Sequence, residues 1–286
     1  MAASYQSIFR ARLFAGQAGV VTGAGSGIGR AAAHELAALG ARVALVGRRP
    51  EKLDTVAREI TEAGGSATCH PADIREEERV REVVRAVLAN FGLLDFLVNN
   101  AGGQFSAPLE KISQKGFDAV VRTNLTGGFL MAREAYTQSM KQHGGAIVNM
   151  IADMWNCMPN MGHSGAARAG MLNFTETAAL EWAPVRVNAV APGWIASSGL
   201  DHYPEAMREH IRALPGKVPL GRLGTESEIS AGIVFLLSPA AAFISGSCLR
   251  IDGAVPNAKP NYTRAPAGTT QAFDGFHLAA KPKVLE

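Results

Sequence analysis

The chain has 286 residues, 47% of them hydrophobic, with a formal net charge of +3 and an isoelectric point near 8.8. That is enough apolar material for one well-buried core, and the Lys and Arg residues are scattered along the chain, which argues against a nucleic-acid groove. No apolar run approaches the ~20 residues that span a bilayer, the opening MAASYQSIFRARLFAGQ lacks the stretch of a secretory signal, and Cys69, Cys157 and Cys248 are widely spaced with no CxxC pair; the expectation is a cytoplasmic protein with reduced thiols, no membrane attachment and no metal.

Residues 1–15 read as an N-terminal extension. From there short apolar runs alternate with helical patterns. AGVVT (18–22), RVALVG (42–47), SATCHP (66–71), LDFLVN (94–99), AIVNMI (146–151), RVNAVA (186–191) and SCLRID (247–252) read as strands. Between them, GRAAAHELAALG and EEERVREVVRAVLANFG repeat apolar residues at helical spacing and end in Gly40 and Gly92, as helices often do. TESE (225–228) before ISAGIVFLL is a capping-box signature. Strand–helix alternation with continuously apolar strands predicts an α/β fold, a doubly wound parallel sheet of about seven strands with helices on both faces. The main domain is assigned to 16–256. Residues 257–286 lose periodicity and gain Pro, Ala and Gly, and are expected to form an extended or mobile tail.

The first strand runs into TGAGSGIGR (22–30), which opens the first predicted helix. Glycines there let the backbone turn tightly and approach a pyrophosphate, whose charge suits the amides at a helix N-terminus. The spacing of Gly23, Gly27 and Gly29 departs from the strict G-x-G-x-x-G pattern; the strand–turn–helix context is what points to a nucleotide. At the end of the second strand stands GRRP. An NAD site would want a carboxylate there for the ribose 2′-hydroxyl, whereas Arg48 and Arg49 suit a 2′-phosphate. NADPH is therefore the expected cofactor, the alternative being two arginines solvated at a helix start.

TGxxxGIG at 22–29, NNAGG at 99–103, TNLTGGF at 123–129 and APGWI at 191–195 together resemble the short-chain dehydrogenase/reductase family over roughly residues 15–255. The resemblance implies a single Rossmann-type domain, assembled as a homotetramer or homodimer, and a nicotinamide cofactor. It implies that Gly23, Ser26, Gly27, Ile28 and Gly29 cradle the cofactor and that Asp73 and Ile74 flank the adenine. Asn100, Ala101 and Gly102 would line the pocket, Asn124 would hold an active-site water, and Pro192, Gly193, Ile195 and Ser197 would touch the nicotinamide. The oligomer expectation is assisted by small residues on the helix after the fifth strand, Ala166, Ala167, Ala169 and Gly170, which permit close approach across a two-fold axis.

The family carries Tyr-x-x-x-Lys where this chain reads GHSGAARAGM (162–171), so Ser164 and Arg168 occupy the tyrosine and lysine places. None of the four tyrosines (Tyr5, Tyr136, Tyr203, Tyr262) falls in this segment. An aliphatic hydroxyl holds its proton far more tightly than a phenol, and a guanidinium does not relay protons. Simple carbonyl–alcohol interconversion is poorly served. Reduction of a conjugated double bond asks for less, because charge collects on a thioester oxygen that needs hydrogen-bond donors. HSGAARAG also resembles the branch of the family containing trans-2-enoyl-CoA and 2,4-dienoyl-CoA reductases. The expected function is NADPH-dependent reduction of an enoyl thioester, with Asn124, Asp153, Ser164 and Arg168 as catalytic residues and Arg168 also on the cofactor ribose. Asp153 is either an acid acting through water or a strand-end cap, and His163 either a proton donor or a packed core residue.

Met150, Met154, Met158, Met161 and Met171, with Trp155, crowd this segment; methionine adapts to irregular apolar shapes, which suggests a pocket for an acyl or terpenoid chain. Arg208, Arg212, Lys217 and Arg222 are either partners for a CoA phosphate or a solvated face. Two other readings stand beside the first. ADMWNCMPNMGHSGAARAGM with TNLTGGF and GWIASSGLD resembles bacterial alcohol/aldehyde dehydrogenases of citronellol catabolism; and an intact cofactor site beside an altered acid–base pair also suits a non-catalytic NADP(H)-binding scaffold or sensor.

Overall fold

The computed structural model describes residues 4–203, 205–259, 261, 266 and 268–286, with the backbone alone at 202 and 206. Seven strands form one sheet: β1 (Ala18–Thr22), β2 (Arg42–Gly47), β3 (Ser66–Pro71), β4 (Phe96–Asn99), β5 (Ala146–Met150), β6 (Arg186–Pro192) and β7 (Cys248–Ile251). Their order is β3-β2-β1-β4-β5-β6-β7, and every pairing is parallel. The helices are α1 (Gly27–Ala38), α2 (Pro50–Glu62), α3 (Glu77–Phe91), α4 (Gln114–Val121), α5 (Gly127–Ala135), the short α6 (Lys141–His143), α7 (Gly162–Glu181), α8 (Arg208–Arg212) and α9 (Glu226–Leu237). This is the single-domain Rossmann-type doubly wound sheet expected from the pattern. Strand β4 starts two residues later than the apolar run suggests, because Leu94 and Asp95 serve the turn that enters it: the Asp95 carboxylate accepts from the Ala18 amide at 2.7 Å.

The central strands are buried throughout, and their side chains alternate between the two covered faces of the sheet. Val21, Leu45, Val98 and Val148 point to one face, packed against α1, α2 and α9, while Val20, Val46, Leu97 and Ile147 point to the other, against α3 and α5. The edge strands β3 and β7 are only partly covered. The capping box forms as written: Glu228 N–H donates to Thr225 Oγ1 at 3.1 Å and Thr225 N–H to the Glu228 carboxylate at 2.9 Å. Among the described residues no helix is long and apolar enough to cross a membrane.

The tail is extended, but its described part is packed rather than loose. Phe276 is buried, stacks on Tyr5 at 5.8 Å and lies under the Arg30 guanidinium at 5.3 Å. The Gln6 amide donates to the Gly275 carbonyl at 2.8 Å, so both ends of the chain are joined. Phe276 N–H donates to Ser227 Oγ at 3.0 Å and Thr225 Oγ1 to the Phe273 carbonyl at 2.6 Å, seating the tail on α9. Lost periodicity with added Pro, Ala and Gly predicted an extended or mobile tail; the described part is extended, and the buried Phe276 ring and a row of hydrogen bonds hold it in place. Residues 260, 262–265 and 267 of that tail, Tyr262 among them, lie outside the described residues.

Candidate active site

All seven strands run the same way, so their following loops emerge at one edge, and the winding reverses between β1 and β4. That reversal opens the crevice in which such sheets bind ligands. The glycine turn lines one side. Gly23 has φ +65°, and a Cβ there would come within 2.8 Å of the Ala101 backbone; one on Gly29 would reach 2.4 Å from Asn100 Nδ2. Thr22 locks turn to loop, its Oγ1 accepting from the amides of Asn100 and Ala101 at 3.0 Å each, while Asn100 Nδ2 donates to the Thr22 carbonyl at 2.9 Å. Ser26 precedes α1 without capping it through its side chain, and Ile28 packs against the core. The result is a bare concave turn whose amides open α1, the shape a pyrophosphate needs.

Deeper in, Arg168 is 8% exposed on α7. Its Nη1 donates to the Met150 carbonyl at 2.6 Å, yet Nε has no partner among the described residues. Burial pushes the guanidinium down to about 10, so it remains a cation at neutral pH. A Cβ on Gly102 would stand 2.7 Å from Arg168 Nη2 and 3.0 Å from Asn124 Oδ1, so only glycine lets these groups converge. Asn124 is buried in a π-helical turn between α4 and α5, a local irregularity that often marks functional positions. Its amide clasps one residue: Gly103 N–H donates to Oδ1 at 2.9 Å and Nδ2 donates to the Gly103 carbonyl at 3.0 Å.

Ser164 is fully buried, and its hydroxyl donates to Gln104 Oε1 at 2.7 Å. Gln104 Nε2 donates in turn to the Tyr203 hydroxyl at 3.3 Å. Neither Gln104 nor Tyr203 was singled out from the sequence. Gln104 adjoins the NNAGG motif, which is the one signal that pointed its way; Tyr203 lies far down the chain.

The other expected positions divide. Arg48 and Arg49 are exposed beside the turn after β2, and the Arg75 guanidinium, bonded to Asp73 at 2.5–3.0 Å and aided by Arg48, holds the Asp73 carboxyl below its usual range. Ile74 is buried against Gly127. Pro192 ends β6 and Gly193, Ile195 and Ser197 follow it, with Gly193 N–H donating to Ile251 O at 2.9 Å and Ile195 bridged to Gly224. Asp153 has its amide on the Pro192 carbonyl and one carboxylate oxygen buried without a partner among the described residues; burial and the neighbouring Asp252 raise its pKa against the pull of Arg250. His163 is fully buried, edge-on to Phe105 at 4.4 Å, with neither ring nitrogen bonded among the described residues.

The methionines do not form one pocket around Ser164. Met150 and Met171 are core residues, while Met154 and Met158 line an apolar cavity of about 550 Å³ with Leu109, Trp155, Ala166 and Ala169 on the outward face of α7. The basic residues of the 208–222 stretch are also engaged within the chain. Arg222 forms a two-pronged pair with Glu228, Arg212 donates to the Val284 carbonyl, Arg208 pairs with Glu205 and Lys217 meets His210. A phosphate on these side chains would have to displace those partners. Among the described residues no cluster of His, Cys, Asp and Glu is arranged for a metal.

A nicotinamide dinucleotide fits this site on two observations: the bare glycine turn at an α-helix N-terminus, and a buried cation with an unused donor beside Gly102. Comparison with known proteins agrees. The family model described as "Enoyl-(Acyl carrier protein) reductase" matches residues 23–255. The chain is 38% identical to a probable 2,4-dienoyl-CoA reductase of Bacillus subtilis, over 82% of this chain and 94% of that protein. Among solved structures, a citronellol catabolism dehydrogenase of Pseudomonas aeruginosa PAO1 is 60% identical with a TM-score of 0.79, covering 88% of this chain and all of that one. A putative NAD(P)-dependent gluconate 5-dehydrogenase of Beutenbergia cavernae with bound NADP is 35% identical with a TM-score of 0.78, covering 85% of this chain and 98% of that one. With the glycine turn, the switch-point crevice and this likeness in agreement, the chain belongs to the short-chain dehydrogenase/reductase family and is a nicotinamide-dependent oxidoreductase.

Proposed function

We propose that the protein uses NADPH to reduce a carbon–carbon double bond conjugated to a thioester, and that Ser164 and Arg168 stand in for the tyrosine and lysine of the family. The observation that carries this reading is the pair itself: on α7, which holds no phenol, a buried aliphatic hydroxyl bonded to Gln104 and a buried guanidinium beside Gly102. When bound, the cofactor supplies the hydride. Gly23, Ser26, Gly27, Ile28 and Gly29 hold its pyrophosphate, Arg48 and Arg49 its 2′-phosphate, and Asp73 and Ile74 border the adenine. Asn100, Ala101 and Gly102 form the pocket wall, Arg168 gives its unused Nε–H to the ribose, and Pro192, Gly193, Ile195 and Ser197 border the nicotinamide. As charge develops on the thioester oxygen, Ser164 turns its proton from Gln104 to that oxygen, a stronger acceptor than an amide. Asn124 keeps Gly103 and the loop before Gln104 in register, and Asp153 remains a candidate acid acting through water. The acyl or terpenoid chain is carried as a CoA ester, in a cytoplasmic homo-oligomer; a single 30 kDa species by light scattering would contradict the assembly.

A second reading, an alcohol dehydrogenase acting on citronellol-type substrates, is favoured by the 60% identity to the citronellol catabolism dehydrogenase of Pseudomonas aeruginosa. Following NADPH absorbance with enoyl-CoAs, dienoyl-CoAs, citronellal and geraniol separates the two. Turnover of thioesters supports the first, oxidation or reduction at the terpenoid alcohol level supports the second, and tight NADPH binding without any turnover supports a scaffold.

A further inference from the structure

The Ser164–Gln104–Tyr203 chain has a direction. Ser164 gives its one proton to Gln104, and Gln104 gives an N–H to Tyr203, so at the far end the Tyr203 hydroxyl accepts and its own proton is left over. A phenol is a much stronger acid than an aliphatic alcohol. Tyr203 belongs to the stretch following β6 and is held there by packing on the cluster of Leu200, Leu214 and Trp194. Its ring is half-buried, and Gln104 is exposed, so this end of the chain opens to water. Other proton sources are placed less well. Asp153 faces Arg250 and Asp252 at the end of β7, and the His163 ring is packed against Phe105 with no polar contact among the described residues.

We propose that Tyr203 is the general acid of the reduction, delivered from the loop after β6 rather than from α7, and that Gln104 is the positioning residue that holds it over Ser164. The proposal rests on the thioester-reductase reading above. Hydride arriving at the β-carbon leaves a charge shared by the α-carbon and the thioester oxygen. The Tyr203 O–H bond then breaks, a C–H bond forms at the α-carbon, and the phenolate takes a proton from water at the open mouth. One hydride and one solvent proton are consumed per double bond.

The test uses trans-2-decenoyl-CoA as substrate and decanoyl-CoA as its non-reacting counterpart. Tyr203→Phe keeps the ring in its cluster and removes only the hydroxyl. Loss of a general acid is expected to lower kcat by at least about 100-fold, while fluorescence titration gives NADPH and decanoyl-CoA affinities within about threefold of wild type. Gln104→Glu keeps an acceptor for Ser164 but removes the donor to Tyr203, and should lower kcat in the same direction with NADPH affinity unchanged. Tyr203→Phe with wild-type kcat, or with decanoyl-CoA affinity falling in step with kcat, overturns the proposal and leaves the reductase reading standing. A wild type that binds NADPH and decanoyl-CoA but reduces no enoyl or dienoyl thioester overturns both.

Discussion

Replacing Arg168 with Met separates what the site costs the fold from what it offers a ligand. The guanidinium is buried with one hydrogen bond, and a depression of its pKa from the ordinary arginine value to about 10 corresponds to roughly 3 kcal/mol of unfavourable desolvation. Because the folded-state value lies below the unfolded one, that penalty is fully present below about pH 10 and fades only as the pH rises toward the unfolded-state value. Against it stands one charge-assisted bond to the Met150 carbonyl at 2.6 Å, worth about 1.5–3 kcal/mol. The two nearly cancel, so Arg168→Met should change the unfolding free energy of the cofactor-free protein by no more than about 1–2 kcal/mol, less than the ~3–5 kcal/mol lost when a buried ion pair is broken. Cofactor binding should respond differently. Wild type in NADPH at 100 times its Kd gains about 2.7 kcal/mol. Losing one charge-assisted bond weakens binding about 10- to 100-fold, which cuts that gain to between about 0.4 and 1.4 kcal/mol at the same concentration. Urea unfolding with and without NADPH measures both. A variant that loses more than about 3 kcal/mol without cofactor, or that keeps the full gain with it, would refute the reasoning.

Ser164→Ala should cost roughly 2–4 kcal/mol of transition-state stabilisation, as for other lost oxyanion donors; steady-state kinetics on enoyl thioesters should show this in kcat with little change in KM, and a fully active variant removes Ser164 from the mechanism. Arg48→Asp should weaken NADPH much more than NADH, because a 2′-phosphate would meet a like charge; a wild-type preference for NADH in the same titration contradicts the cofactor assignment. Burial raises Glu226, beside the glycine turn, from 4.5 to about 7. The folded chain therefore binds more protons than the unfolded one between those values, and stability falls as pH rises through that window, by about 2 kcal/mol after allowance for partial exposure. Glu226→Gln should flatten that slope in denaturation curves from pH 4.5 to 8, and an unchanged slope excludes Glu226 as its source. Phe276→Ala should destabilise the protein by about 3 kcal/mol, through lost contact with Tyr5 and Arg30; a loss under 1 kcal/mol by the same assay would show that the tail is not anchored there.

What the sequence determined alone was whatever is encoded within a few residues. Apolar runs such as AGVVT and RVALVG match β1 and β2 at both ends, the glycine turn between β1 and α1 was legible from its strand–turn–helix context, and Thr225 and Glu228 announced their capping box. These features depend on side-chain period, φ freedom and reciprocal bonding over one helical turn, all local quantities. The entry of β4 moved because Asp95 is committed to an amide 77 positions away. Tertiary structure alone decided the rest. Gln104 meets Tyr203 across 99 positions, Arg222 meets Glu228 instead of solvent, and Met154 and Met158 turn outward while Met150 and Met171 turn into the core. Nothing in the composition of the tail foretold Phe276 between Tyr5 and Arg30. Such contacts carry no periodicity, since each is set by which surfaces the closed sheet brings together, and a residue's neighbours along the chain say little about its neighbours in space.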